Sequence, residues 1–168
     1  MCCKVMSIDE LEKPEGVWCT YCAVGRGCKI YSERPPSCQA FQCGYLMMPG
    51  MGEHWFPARS KMVVTAENEG QIVIRADDSR PNAWKSEPFY SELKSMAASL
   101  GSSHQILVRT GGRTIAIVPD RDIDLGIVSD DHRLVTLEYP SPFGARWEVA
   151  KIDADDPLIA GKPINWQP

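Results

Sequence analysis

Residues 71–110, QIVIRADDSRPNAWKSEPFYSELKSMAASLGSSHQILVRT, carry the clearest structural signal in the chain, a helical pattern with a strand pattern on either side. The helix is predicted over residues 87–100, where apolar side chains recur at intervals of three and four residues. These apolar positions are Phe89, Leu93, Met96, Ala97 and Leu100. Pro88 suits the first turn of this helix, and Gly101 suits its C-terminal end.

Around this helix, β-branched runs separated by turn residues predict three β-hairpins. They pair residues 61–66 with 71–76 around Glu67-Asn68-Glu69-Gly70, residues 105–110 with 114–119 around Gly111-Gly112, and residues 132–139 with 145–152 around Pro140-Ser141-Pro142. Six strands and one helix predict an α+β domain over residues 61–168. In this domain a mostly antiparallel sheet is covered on one face by the helix.

Composition places the chain among ordinary globular proteins. It has 168 residues, of which 43% are hydrophobic and 24% are charged, and its formal net charge is −4. The acidic balance gives no general attraction for nucleic-acid phosphates or anionic lipid, so neither is an expected partner. The uncharged residues 38–51 include glutamine, glycine and proline and are too few to span a bilayer. We see no secretory signal, and the expected compartment is the cytoplasm.

All seven cysteines lie in the first 43 residues. An odd number of thiols without an export signal argues against a disulfide framework, and thiolates grouped this densely in a reducing cytosol favour metal binding. The predicted metal ligands are Cys2, Cys3, Cys19, Cys22, Cys28, Cys38 and Cys43. Residues 1–48 contain few aliphatic side chains, so we expect bound metal to hold this irregular module together. Residues 49–60 are predicted to connect it to the 61–168 domain.

The pair Cys19-Thr20-Tyr21-Cys22 is a CxxC knuckle, whose two sulfurs can point at one ion. A CxxC also serves thioredoxin-type redox enzymes. Here no strand–CxxC–helix pattern surrounds it, and five other thiols lie nearby in the sequence. The knuckle is therefore interpreted as part of a metal site.

With these residues in view, the chain resembles the YkgJ-type cysteine-cluster proteins, the zinc- or iron-chelating CxxCxxCC domain family. The resemblance lies in Cys2-Cys3, Trp18-Cys19-Thr20-Tyr21-Cys22, Gly27-Cys28-Lys29-Ile30-Tyr31, Arg34-Pro35-Pro36-Ser37-Cys38 and Phe41-Gln42-Cys43. It implies a small bacterial metal-chelating module without an assigned reaction. It covers the first quarter of the chain and implies nothing about residues 61–168.

Members of that family commonly carry one or two further cysteines upstream of the Cys-Cys pair, whereas Met1 precedes Cys2 here. Seven thiols are one short of two four-cysteine sites, so a non-cysteine ligand, a bridging sulfur or a spare thiol all stay open. His54 is the nearest histidine, and a solvated loop histidine is the favoured interpretation over a ligand. Zinc is favoured modestly over a 4Fe–4S cluster, because the spacing lacks the ferredoxin run that ends in Cys-Pro.

The predicted function is therefore metal binding without catalysis, with the sheet domain free to bind another protein or a small molecule. An iron–sulfur redox or electron-transfer protein is the alternative. Arg34, Lys4, Lys29 and Arg26 are candidates to offset thiolate charge. The acidic run at residues 120–124 lacks the glycine and closing glutamate of a calcium-binding EF-hand, and we predict a solvated loop there.

Overall fold

The computed structural model describes residues 1–67, 70–142 and 144–157. Its helices are α1 (Cys2–Val5), α2 (Pro36–Ala40), α3 (Gly44–Met47), α4 (Pro57–Ser60) and α5 (Phe89–Leu100). Its strands are β1 (Cys22–Ala23), β2 (Gly27–Cys28), β3 (Met62–Glu67), β4 (Gln71–Ala76), β5 (Gln105–Thr110), β6 (Arg113–Ile117), β7 (Asp122–Gly126), β8 (His132–Tyr139) and β9 (Arg146–Asp153). No helix in the described part of the chain is long and apolar enough to cross a membrane.

The central sheet has five strands in the order β3-β4-β5-β6-β7. Its neighbours are antiparallel except for β4 and β5, which run parallel with Val73 opposite Leu107. The parallel pair follows from α5, because a helix placed between two strands returns the chain to the edge where the first strand began. The α+β prediction with one main helix is therefore confirmed.

The two faces of the sheet bury different side chains. Alternate residues of β4 to β6, such as Ile74, Val108 and Ile117, pack against Leu93 of α5 in the larger core. The opposite alternation places Val73, Leu107, Ala116 and Leu134 together on the other face. Burying each of these side chains contributes roughly 1.5–3 kcal/mol, so the sheet has a substantial apolar core of its own.

Two details of the sheet differ from the sequence prediction. The third hairpin, β8–β9, forms a separate two-stranded ladder, whose Leu134 and Val149 contact the second face of the main sheet. The predicted solvated loop at residues 120–124 is wrong, because β7 lies at the edge of the sheet with Ile123 and Leu125 packed against the same cluster. The sequence alternates there between aspartate and apolar residues, Asp122-Ile123-Asp124-Leu125, which is the pattern of a strand with one buried face. The turn residues Asn68 and Glu69 of the first predicted hairpin, and residues 158–168 of the predicted domain, lie outside the described residues.

The cysteine-rich segment is docked on the sheet. Helix α3 lies so close to β3 that a Cβ atom added to Gly44 would come within 2.8 Å of Val64 Cγ1. The Lys4 ammonium pairs with Asp77 at 2.6 Å, and Arg75 pairs with Glu15 at 2.9 Å. The predicted connector also contributes to the core, since Trp55 is buried there. The division at residues 48 and 60 stays a prediction.

Candidate metal centre

Short backbone elements present the seven thiols. Cys2 and Cys3 lie in α1, Cys38 lies in α2, and Cys43 directly precedes α3. The amide of Cys19 donates to the carbonyl of Cys3 at 2.9 Å, which ties the CxxC knuckle to α1. All seven cysteines are free thiols.

The CxxC knuckle leads into a small hairpin. The amide of Cys22 donates to the carbonyl of Cys19 at 2.9 Å and closes the turn between them. Strands β1 and β2 then place Cys22 directly opposite Cys28. Gly25 lies between these strands and Gly27 begins β2, and both have a positive φ, which glycine adopts without strain. The hairpin therefore brings a third thiol back beside the knuckle.

Electrostatic interactions between side chains link several of the thiols. Cys2 and Cys22 are both close enough to Cys3 to raise the pKa of its thiol. Cys38 is close enough to Cys19 and Cys2 for their thiolate charges to act on it. A cavity of about 220 Å³ has Cys2 and Cys43 in the same wall. Residues that are far apart in the sequence are thus gathered around Cys2 and Cys3.

The pKa values of Cys2 and Cys3 move in opposite directions. The pKa of Cys2 is lowered to about 6, chiefly because the Cys3 side chain hydrogen-bonds to it, while burial opposes the shift. The pKa of Cys3 is raised, first by that same hydrogen bond and then by burial and the neighbouring charges of Cys2 and Cys22. Burial also raises the pKa of Cys38. The pair therefore holds one thiolate and one thiol at neutral pH.

Lys13 is a residue at this site that the sequence analysis did not single out. Its side chain is buried, and its ammonium donates a hydrogen bond to the carbonyl of Lys4 at 2.8 Å and another to that of Met6. An isolated bridge between Ile8 and Lys13 holds the intervening turn. No local pattern marks Lys13, since its burial depends on how α1 and this turn pack together.

The other residues considered from the sequence take different positions. Nε2 of His54 lies 3.0 Å from Glu92 Oε2, and its ring packs against Phe89 on the main helix. The Arg34 guanidinium stacks on Tyr31, with 4.1 Å between its carbon and the ring centroid. Lys4 pairs with Asp77, and Arg26 and Lys29 are exposed. His54 is therefore engaged by α5, and the position of Lys4 links the module to the sheet.

The thiols have the right chemistry for a thiophilic ion, and their side chains are not arranged as a closed coordination sphere. Within residues 1–67, 70–142 and 144–157, no three Cys, His, Asp or Glu side chains form a group that could hold a metal ion. Thiolates select zinc, copper(I) and iron–sulfur clusters over hard cations, and a Cys2 thiol with a pKa of about 6 is already ionised at neutral pH. The donor set thus fits zinc or iron by its chemistry, and side-chain rearrangement is needed to enclose an ion.

No protein-family model matches this chain, and no curated protein or solved structure matches it either. The resemblance to the YkgJ-type proteins therefore stays a prediction that rests on the cysteine motif of residues 2–43.

Proposed function

We propose that this protein binds metal, zinc in the first instance, through the cysteine-rich module of residues 1–48. The observation that carries the proposal is that main-chain hydrogen bonds and strand pairing bring the segments of Cys3, Cys19, Cys22 and Cys28 together, while all seven cysteines are free. Grouped thiolates repel one another, and a bound cation removes that repulsion.

The energetics of the module support the same proposal. Its buried hydrophobic residues are Val5, Ile8 and Cys19, whereas several of its larger apolar side chains are exposed. These exposed side chains are Val17, Trp18, Tyr21, Val24, Tyr31, Leu46 and Met47. Structural zinc contributes about 10–16 kcal/mol in zinc-finger peptides, which is enough to replace a small apolar core.

Metal binding in this proposal is coupled to local rearrangement. The interaction with Cys2 and then burial raise the pKa of Cys3, so its sulfur holds a proton that must leave before the sulfur can act as a ligand. Zinc takes four thiolate or imidazole ligands in a tetrahedron, so rotation of short cysteine side chains is the expected response to the ion. The sheet domain, with its own core, provides a fixed support for that movement.

The deciding experiment is the metal content and ultraviolet–visible spectrum of protein purified without oxygen. A colourless protein with stoichiometric zinc supports the proposal. A brown protein with iron and inorganic sulfide supports the alternative, an iron–sulfur redox or electron-transfer protein. A protein that contains neither metal, and takes up neither after reduction and incubation with the ion, contradicts both functions.

The Cys19→Ser variant tests whether the buried thiol of the knuckle is a ligand. We expect it to lose stoichiometric metal and to become less soluble, because one missing ligand leaves the site incomplete. Thr20→Ser is the matched control, since it changes the neighbouring exposed residue without touching a thiol. Full metal content in Cys19→Ser shows that Cys19 is not a ligand.

A further inference from the structure

The ammonium of Lys13 is buried beside the thiols. Lys13 is only 7% exposed, which is unusual for a lysine. Its hydrogen bonds reach the carbonyls of Lys4 and Met6, which lie at the C-terminal end of the turn that carries Cys2 and Cys3. A buried charge is costly unless polar or charged groups surround it, so its neighbours explain why it is tolerated there.

Three cysteines and one glutamate act on the ammonium electrostatically. Burial lowers the pKa of Lys13, and the negative charges that oppose this shift are, in order of strength, those of Cys19, Cys3, Glu15 and Cys2. Cys2, whose lowered pKa makes it a thiolate at neutral pH, is among these groups. Together with the two carbonyl contacts, this puts the ammonium within electrostatic range of the cysteine cluster.

We propose that Lys13 is a positioning residue of the metal–thiolate site, where it fastens the turn carrying Cys2 and Cys3 and places a positive charge beside the sulfurs. This inference rests on the proposed metal-binding function. It goes beyond it by assigning a role to a residue that supplies no ligand atom.

Electrostatics gives the expected direction. Four thiolates around one zinc ion leave a net charge of about −2 at the site. A cation in a low-dielectric environment nearby stabilises that charge far more than a solvated lysine does. Partners of this kind around a metal site typically change its affinity by about 10–100-fold when they are removed.

The test compares Lys13→Met, Lys13→Arg and Lys151→Met with the unchanged full-length protein. Methionine keeps the length of the lysine side chain without its charge, and arginine keeps both charge and hydrogen-bond donors. Lys151 of β9 is the matched control, because its ammonium also donates to two main-chain carbonyls, those of Leu125 and Ile127. The zinc dissociation constant is measured by competition with a chromophoric chelator.

A second measurement, on reduced and metal-free protein, is amide hydrogen exchange at Val5 and Met6. These amides donate to the carbonyls of Met1 and Cys2 and therefore report on the turn directly. We expect Lys13→Met to weaken zinc binding by about 10-fold or more and to speed exchange at both amides. The zinc affinities of Lys13→Arg and Lys151→Met should stay within about 3-fold of that of the unchanged protein. This is well below the change of about 10-fold or more expected for Lys13→Met.

Equal losses of zinc affinity in Lys13→Met and Lys151→Met overturn the role of Lys13, because net charge alone then explains the effect. Unchanged exchange at Val5 and Met6 in Lys13→Met overturns its hold on the turn. If Lys13→Met fails to fold, a Lys13→Arg protein that folds but binds zinc at least 10-fold more weakly overturns the inference as well, since it retains charge and donors. Absence of zinc binding in the unchanged protein refutes the proposed function separately, and the exchange data still decide whether Lys13 holds the turn.

Discussion

Replacing Gly44 with alanine tests how the cysteine-rich module is seated on the sheet. The added Cβ would lie 2.8 Å from Val64 Cγ1, 3.0 Å from Val64 Cβ and 3.1 Å from the Val64 carbonyl oxygen. Carbon atoms pack best about 3.5–4.0 Å apart, so the two carbon contacts are too short by about half an ångström or more. Val64 is buried within β3 and paired with Ile74, which leaves it little room to move.

The expected magnitude follows from two opposing effects. Overpacking of a tight interior costs about 1–3 kcal/mol, and three short contacts that include the main chain place Gly44→Ala in the upper part of that range. Alanine is favoured over glycine in a helix by up to about 1 kcal/mol, and less at the first position of the short α3. We therefore expect a net loss of about 1–2 kcal/mol in the free energy of unfolding.

Urea unfolding, monitored by tryptophan fluorescence, measures this loss, since Trp55 and Trp84 are buried in the same core. Val64→Ala supplies the second arm of a double-mutant cycle, because it removes the Cγ1 atom that the new methyl group meets first. The cost of Gly44→Ala should fall by about 0.5–1 kcal/mol in that background. A Gly44→Ala protein as stable as the unchanged one, or a cost that does not depend on Val64, refutes the close contact between α3 and β3.

Three further predictions concern the module and its attachment. Removal of the metal by a chelator should expose residues 1–48 to limited proteolysis and leave the sheet intact, because only the sheet has a large apolar core. Burial disfavours the Asp77 carboxylate, but hydrogen bonds from Lys4 and Ser79 outweigh it and lower its pKa in the folded state. The stabilisation is therefore present above the usual pKa of about 3.9 and is lost as pH falls towards the folded-state value. Asp77→Asn should lower the free energy of unfolding by about 1–3 kcal/mol at pH 7 and make unfolding less sensitive to acid. Glu67→Gln should also lower the free energy of unfolding by about 1–3 kcal/mol, because Glu67 accepts hydrogen bonds from both Arg75 and Arg109 on one face of the sheet.

Each of these predictions has a control measured in the same way. Asp131→Asn and Glu138→Gln change exposed carboxyl groups, and both should leave the free energy of unfolding within about 0.5 kcal/mol. Equal acid sensitivity in Asp77→Asn and the unchanged protein argues against the Lys4–Asp77 pair as a determinant of stability. Full protection of residues 1–48 after metal loss means that contacts with the sheet alone hold the module.

Much of the secondary structure was predictable because its signals are local. The β-branched runs at residues 71–76, 105–110 and 132–139 match β4, β5 and β8, and the apolar spacing that ends at Leu100 matches α5. Each of these patterns depends only on residues within a single element. The cysteine spacing likewise identified the region in which the thiols gather.

Contacts between distant segments were not predictable in the same way. Period-2 patterns show that a strand has a buried face but not which strand lies beside it, so the parallel pairing of β4 with β5 and the separate β8–β9 ladder required the tertiary structure. The burial of Lys13 is of the same kind, since it arises where α1 and the Ile8–Lys13 turn come together. The sequence by itself determined the elements and the cysteine-rich region, because these depend on neighbouring residues. Only the tertiary structure decided which cysteine-bearing segments are neighbours and that Lys13 is buried, because those relations depend on packing between separate elements.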